Sequence, residues 1–275
     1  MREKIVQKPK SRHPLRLALG KIYFRAKRRL LWLFGGIKFA KIHRGEVLPH
    51  QHFSHKTPLL RQLKDVDMYL QHNKITNLGI AVPRISGVTL HPGETFSYWR
   101  LIGRPTRCKG YVEGMVLERG KVTTGVGGGL CQLSNLIYWM TLHTPLTVTE
   151  RHRHSYDVFP DTGRTQPFGS GATCFYNYGD LMIKNNTDQA FQLILALDDS
   201  YLTGCWMAVR PPDYTYEVYE KVHAIRSQYW SGYTRHNLIC RKKYGMDGQL
   251  LEDQPITENH AIMMYAPLLA DNGEP

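Results

Sequence analysis

A glycine run followed closely by a cysteine is the densest chemical signal in this sequence. Gly127, Gly128 and Gly129 precede Cys131, which opens a helix predicted over Cys131–Leu142. Glycine permits backbone conformations closed to other residues. The free N–H groups and the dipole at a helix start attract anions and stabilise a thiolate. The pattern predicts a nucleophilic Cys131, or else a packing cysteine whose glycines merely allow close contact.

A segment that alternates arginine and histidine follows the predicted helix. If it is a strand, His152 and His154 lie on one face, and Arg151 and Arg153 lie on the other. A helix that carries a thiol, followed by a strand that carries a histidine, is an order used in several thiol-protease-like folds. One of the two histidines would then hold Cys131 as an ion pair.

The other proposed site residues are assigned around this pair. Asp157 or Glu150 would orient the histidine, and Gln132 with the amides of residues 127–129 would donate to an oxyanion or a carboxylate. Ser134 joins the predicted substrate-binding set. A non-catalytic alternative remains, in which the glycine turn and the two arginines grip an anionic ligand while the cysteine is structural.

Metal binding is the competing chemistry. Cys131, His152 and His154 supply three side chains of the kind that bind zinc. Their spacing is not one of the regular zinc patterns, and no two of the five cysteines form a Cys-x-x-Cys pair. We therefore predict no metal and no cofactor. The glycine run is not a Walker loop, because no Gly-Lys-Ser/Thr follows it.

The chain resembles the VanW family in the order of its short motifs. These motifs cover residues 91–97, 110–111, 127–134, 150–155 and 180–181, with Asn185 after them. The most specific are Gly-Gly-Gly-x-Cys-Gln-x-Ser and Glu-Arg-x-x-His-Ser. The second motif retains His154, so the resemblance favours His154 over His152 as the base.

The resemblance implies an accessory role in glycopeptide resistance, or in cell-envelope metabolism more widely, and supplies no reaction. The expected partner is a cell-wall precursor or a peptide, and any enzyme would be a Cys/His-dependent hydrolase or transferase. Many relatives carry an Asp-Ala pair after the histidine segment, where this chain has Gly-Ser-Gly-Ala at residues 169–172.

The elements that would position these residues form an α+β fold. We predict a β-rich body with the cysteine-bearing helix packed on it, preceded by a basic N-terminal helical region. A further helix is predicted over residues 57–73, with Thr57 as N-cap and Pro58 at the first position. Strands are predicted over residues 94–99, 147–151, 154–159, 180–184, 190–197 and 201–209, with a turn at 198–200 and unplaced segments at 214–224 and 235–241.

Charge divides the chain unevenly. Residues 1–64 carry 17 Lys/Arg and 2 Asp/Glu, whereas the remainder carries 19 and 21. We predict a basic helical region over 1–56, a family-like domain over 57–210 and an unassigned extension over 211–275. The segment 14–41 predicts a helix that lies on an anionic membrane surface, or one that packs on the body with its basic face in water. No nucleic-acid motif is present, so no nucleic-acid partner is predicted.

The expected location is the cytoplasm, with contact at the inner face of the membrane. The first residues lack the apolar core and cleavage site of a secretory signal. The odd number of cysteines fits a reducing compartment. No apolar stretch reaches the roughly 18 residues of a spanning helix.

Overall fold

The computed structural model describes residues 13–43, 45–60, 67–160 and 165–267. It confirms the α+β class, with a strand-rich body and a helix at the N-terminus. The helices are α1 (Pro14–Phe34), α2 (Met68–Ala81), α3 (Tyr98–Ile102) and α4 (Cys131–Leu142).

A five-stranded antiparallel sheet forms the centre of the body. Its strands are β1 (Lys41–Ile42), β2 (His50–Pro58), β3 (Val88–Leu90), β10 (Phe191–Leu197) and β11 (Tyr201–Ala208), in the order β1-β3-β10-β11-β2. The hairpin predicted at residues 198–200 is confirmed, since Leu197 pairs with Leu202 across that turn.

The helix that carries the cysteine packs against this sheet, as predicted. Leu133, Leu136, Ile137 and Met140 are fully buried on the inner side of α4. Their spacing of three and four residues makes one apolar face, and its burial against β2 and β11 stabilises the helix. Trp206 of β11 fixes the contact by donating from its indole nitrogen to a threonine of α4 at 3.1 Å.

Two further sheets and a hairpin complete the body. A three-stranded sheet has the order β4-β9-β7, β5 and β6 pair alone, and a four-stranded sheet has the order β12-β13-β14-β8. The strands are β4 (Thr95–Ser97), β5 (Glu113–Glu118), β6 (Lys121–Val126), β7 (Thr147–Glu150), β8 (Tyr156–Asp157), β9 (Met182–Lys184), β12 (Tyr214–Gln228), β13 (Gly232–Gly245) and β14 (Leu250–Met263).

The helix predicted over residues 57–73 is wrong at its start. Thr57 and Pro58 belong to β2, where Thr57 pairs with Leu202 of β11. Residues 61–66 lie outside the described part of the chain, and helix α2 begins only at Met68. Pairing with a distant strand decided the conformation of a segment whose local pattern suits a helix.

The segment predicted as a strand over residues 154–159 forms only the two-residue β8, and residues 151–154 have no regular structure. The unplaced C-terminal segments belong to two long strands, β12 and β13. The division at residues 56 and 210 stays a prediction, although β1 and β2 complete the central sheet. No helix in the described part of the chain is long and apolar enough to cross a bilayer.

Candidate functional site

The glycine turn before α4 serves close packing. Gly127 and Gly129 have φ values of +79° and +87°, which favour glycine. A Cβ atom at Gly128 would lie closer than 3.0 Å to the backbone of Gly114, and one at Gly129 would meet the side chain of Lys74 at a similarly short distance. The turn therefore requires glycine because the β5 backbone and helix α2 press against it.

The amides of this turn already have partners. Gly127 donates to the carbonyl of Val112, Gly128 to that of Gly125, and Gly129 to that of Met115, each at 2.9 Å. A donor engaged in this way does not point at an incoming anion. The oxyanion role predicted for residues 127–129 thus has no support from the backbone geometry.

Cys131 begins α4 beside the segment that carries Cys174. Burial raises the pKa of the Cys131 thiol, and the backbone N–H of Cys174 offsets this only in part. Burial and the neighbouring Cys131 raise the Cys174 pKa well above its usual range. Within the described ranges, no histidine hydrogen-bonds to Cys131, and the raised pKa favours the neutral thiol over an ion pair.

The two polar residues that follow Cys131 hold the helix in place. Gln132 donates from Nε2 to Thr57 Oγ1 and to the Pro58 carbonyl, both at 2.9 Å. Ser134 is fully buried and donates to the Ala172 carbonyl at 2.6 Å. These contacts join α4 to the end of β2 and to the Gly-Ser-Gly-Ala segment.

The predicted base and its orienting carboxylate have separate surroundings. The half-buried ring of His154 lies edge-on to the ring of Phe175, with centroids 6.0 Å apart. Burial and, to a smaller extent, the charge of Arg153 lower the pKa of His154. Asp157 is buried in the C-terminal sheet, 3.3 Å from Arg235 Nη1 and 2.9 Å from the Tyr265 hydroxyl. Among the described residues, no hydrogen bond links Cys131, His154 and Asp157 to one another, and the triad stays a prediction.

The sequence suggested that Glu150 orients the catalytic histidine. In the structure, Glu150 contacts His152 and not His154. His152 Nε2 lies 2.9 Å from Glu150 Oε1, while Arg28 binds both carboxylate oxygens at 2.5 and 2.7 Å. Burial opposes ionisation of Glu150. Hydrogen bonds from His152, Arg28 and the Asp180 amide, together with the charge of Arg28, outweigh it and lower the Glu150 pKa to about 2.

A second carboxylate lies beside this ion pair. The backbone N–H of Asp180 donates to Glu150 at 3.0 Å, and the buried Asp180 carboxylate accepts from Ser97 Oγ at 2.5 Å and the Trp99 amide at 2.9 Å. Burial raises the Asp180 pKa to about 6 despite these bonds. Sequence reasoning found Asp180 only through the family motif and gave Arg28 no role, since nothing local marks a partner so far along the chain.

The two arginines of the segment differ in their contacts. Arg151 donates to Thr257 at 2.9 Å and to the carbonyls of Gly169 and Gly171, and stacks on Tyr138 at 4.7 Å. It therefore fastens residues 169–172 between α4 and the C-terminal sheet. Arg153 instead leaves its Nη1 atom buried with no hydrogen-bond partner.

The described part of the chain contains no cluster of side chains suited to binding a metal ion. Within those ranges, no three His, Cys, Asp or Glu side chains are grouped closely enough to hold a metal ion. His152 is instead engaged with Glu150, and the ring of His154 faces Phe175. The zinc alternative therefore receives no geometric support.

Comparisons with known proteins agree with these motifs. The family model described as "VanW like protein" matches residues 73–207. The Vancomycin B-type resistance protein VanW of Enterococcus faecalis (strain ATCC 700802 / V583) is 36% identical over 205 residues, which are 74% of this chain and 73% of that protein. The Uncharacterized protein YoaR of Bacillus subtilis (strain 168) is 29% identical over 113 residues, which are 41% of this chain and 36% of that protein. No solved structure matches.

Proposed function

The chain belongs to the VanW family, and from that premise we propose an accessory protein of glycopeptide resistance that binds an anionic cell-wall precursor. The resistance role rests on the similarity to the Enterococcus faecalis protein, whose name states vancomycin B-type resistance. The binding role rests on one observation, which is the unpartnered guanidinium nitrogen of Arg153.

Arg153 lies beside other arginines. Its guanidinium packs on the Phe168 ring at 5.0 Å, and that of Arg235 packs on the same ring at 4.5 Å. Burial and, to a smaller extent, the charge of Arg151 lower the Arg153 pKa to about 10, and the charge of Asp157 offsets only part of this. A ligand anion beside Arg153 would compensate both effects, because it supplies the missing acceptor and further negative charge.

The chemistry of Arg153 favours a carboxylate or a phosphate as the ligand group. A guanidinium binds either group through two parallel hydrogen bonds, which a lysine cannot reproduce. Cell-wall precursors carry both groups, on their peptide and on their diphosphate. Because Arg151 is committed to holding residues 169–172, Arg153 is the arginine of the predicted pair that would bind the ligand.

Titration calorimetry with a soluble muramyl-peptide diphosphate tests the proposal. Arg153→Gln should weaken binding roughly tenfold or more, since a hydrogen bond to a charged group contributes about 1.5–3 kcal/mol. Arg153→Lys should recover part of the affinity, and Arg104→Gln, which removes an exposed arginine, should leave it unchanged. Equal affinity for the folded Arg153→Gln variant and the unaltered chain would refute the role of Arg153.

A cysteine-dependent step on the same precursor stays a prediction. It would need Cys131 to ionise against the burial that raises its pKa. Cys131→Ala tests it directly, because a folded variant that preserves resistance and precursor turnover removes the nucleophile. Loss of turnover with unchanged binding would instead favour the enzyme over the binding module.

We also propose that the protein resides in the cytoplasm. All five cysteines are free, as expected in a reducing compartment. Cys108 is exposed and offers a convenient label. A membrane-impermeant maleimide should therefore modify Cys108 in lysed cells and not in intact ones. Labelling in intact cells would overturn this location.

A further inference from the structure

Helix α1 presents an apolar stripe that the body does not cover. The stripe consists of large apolar residues at helical spacings, each between 57% and 73% exposed: Leu15, Leu19, Ile22, Leu30 and Leu33. Ala26 completes the series. Amphipathic helices of water-soluble proteins usually turn this face inward. Here the stripe points away from the protein.

The opposite side of α1 is fastened to the body by polar contacts. Arg28 lies two residues from Ala26 and from Leu30, which places it on the other side of the helix. It is buried and pairs with Glu150, while Arg25 donates to the Tyr176 carbonyl at 3.2 Å. These contacts fix the rotation of the helix, so its apolar stripe is held outward.

Basic residues flank the stripe. Helix α1 contains six Lys and Arg residues and no Asp or Glu. Arg16, Lys27 and Arg29 are exposed beside the apolar positions. An apolar face bordered by cations matches the boundary of a bilayer that carries anionic headgroups. A second copy of the same helix fits poorly, because the two cationic surfaces would repel each other.

We propose that the outward stripe of helix α1 binds the surface of an anionic lipid bilayer, with the helix axis in the membrane plane. The leucines and Ile22 enter the headgroup boundary, and the flanking cations contact lipid phosphates. Arg28 and Glu150 hold the rest of the protein against the inner side of the helix. This surface is separate from the ligand site proposed at Arg153.

Vesicle co-sedimentation of the full chain tests the proposal. Binding should require phosphatidylglycerol in phosphatidylcholine vesicles, be absent with phosphatidylcholine alone, and weaken at high salt. Ile22→Gln with Leu30→Gln should lower the partition coefficient about tenfold or more. Leu250→Gln with Leu251→Gln removes two similarly exposed leucines from β14 and should change nothing.

Several results would overturn the proposal. One is equal binding of the Ile22/Leu30 variant with an unchanged melting temperature, and another is equal binding to both kinds of vesicle. A concentration-dependent dimer that the same variant abolishes would make a second copy the occupant. Salt-sensitive binding to RNA without binding to vesicles would assign the cations to nucleic acid instead.

Discussion

The Arg28–Glu150 ion pair should contribute strongly to the attachment of helix α1. Arg28 is 8% exposed and Glu150 21%, so solvent screens their attraction only weakly. Both carboxylate oxygens are bound, and removal of one member of a buried pair typically costs about 3–5 kcal/mol. We expect Arg28→Ala to lower the free energy of unfolding by roughly 3 kcal/mol.

The depressed pKa of Glu150 reflects the same contacts and gives a magnitude of the same order. Its pKa falls from 4.5 to about 2, which corresponds to roughly 3 kcal/mol at about 1.4 kcal/mol per tenfold. His152 shares this interaction, so Arg28 accounts for part of it. Because the folded pKa is depressed, the stabilisation is complete above pH 4.5 and disappears as the pH falls towards about 2.

Thermal and urea unfolding measure the effect. A loss of about 3 kcal/mol predicts a fall in melting temperature of roughly 6–12 °C for a chain of this size. Arg29→Ala is the matched control, since Arg29 is the exposed neighbour on the same helix. The double variant with Glu150→Ala should show non-additive effects. A loss below about 0.5 kcal/mol for Arg28→Ala would refute the reasoning.

Three other measurements address the thiol, the turn and the buried carboxylate. Cys131 should react with iodoacetamide more slowly than exposed Cys108 at neutral pH, as judged by mass spectrometry, and faster reaction would contradict its raised pKa. Gly128→Ala should destabilise the fold by about 1–3 kcal/mol through a backbone clash, whereas Gly79→Ala, which has open space within helix α2, should be neutral or stabilising in urea unfolding. The Asp180 carboxyl should titrate near pH 6 by NMR, and a titration midpoint near pH 4 would contradict this. Because the folded pKa is raised, the stability linked to Asp180 is complete below pH 3.8 and is lost as the pH rises through 6.

Local patterns were sufficient for much of the framework. The glycine run before Cys131 predicted the start of a helix that the structure places at Cys131–Leu142. The turn predicted at residues 198–200 joins β10 and β11 as a hairpin. These features depend on residues close together in the chain, where backbone preference and hydrophobic period act directly.

The candidate site depended on contacts that no local pattern encodes. Gly128 and Gly129 suggested an anion-binding turn from the sequence. In the structure they must be glycine because Gly114 and Lys74 pack closely against them. Arginines that looked equivalent differ, because Arg151 meets the C-terminal strand β14 and Arg153 does not complete its hydrogen bonds. The sequence identified candidate residues, but it could not show which neighbours accept their hydrogen bonds.

Sequence alone determined the family, the fold class and the concentration of positive charge in the first quarter of the chain. Tertiary structure decided how that charge is used, since Arg28 reaches Glu150 across a separation of 122 residues and turns the apolar face of α1 outward. The physical reason is that periodicity and charge act over a few residues. Burial, pKa and hydrogen-bond partners arise only when distant segments pack together.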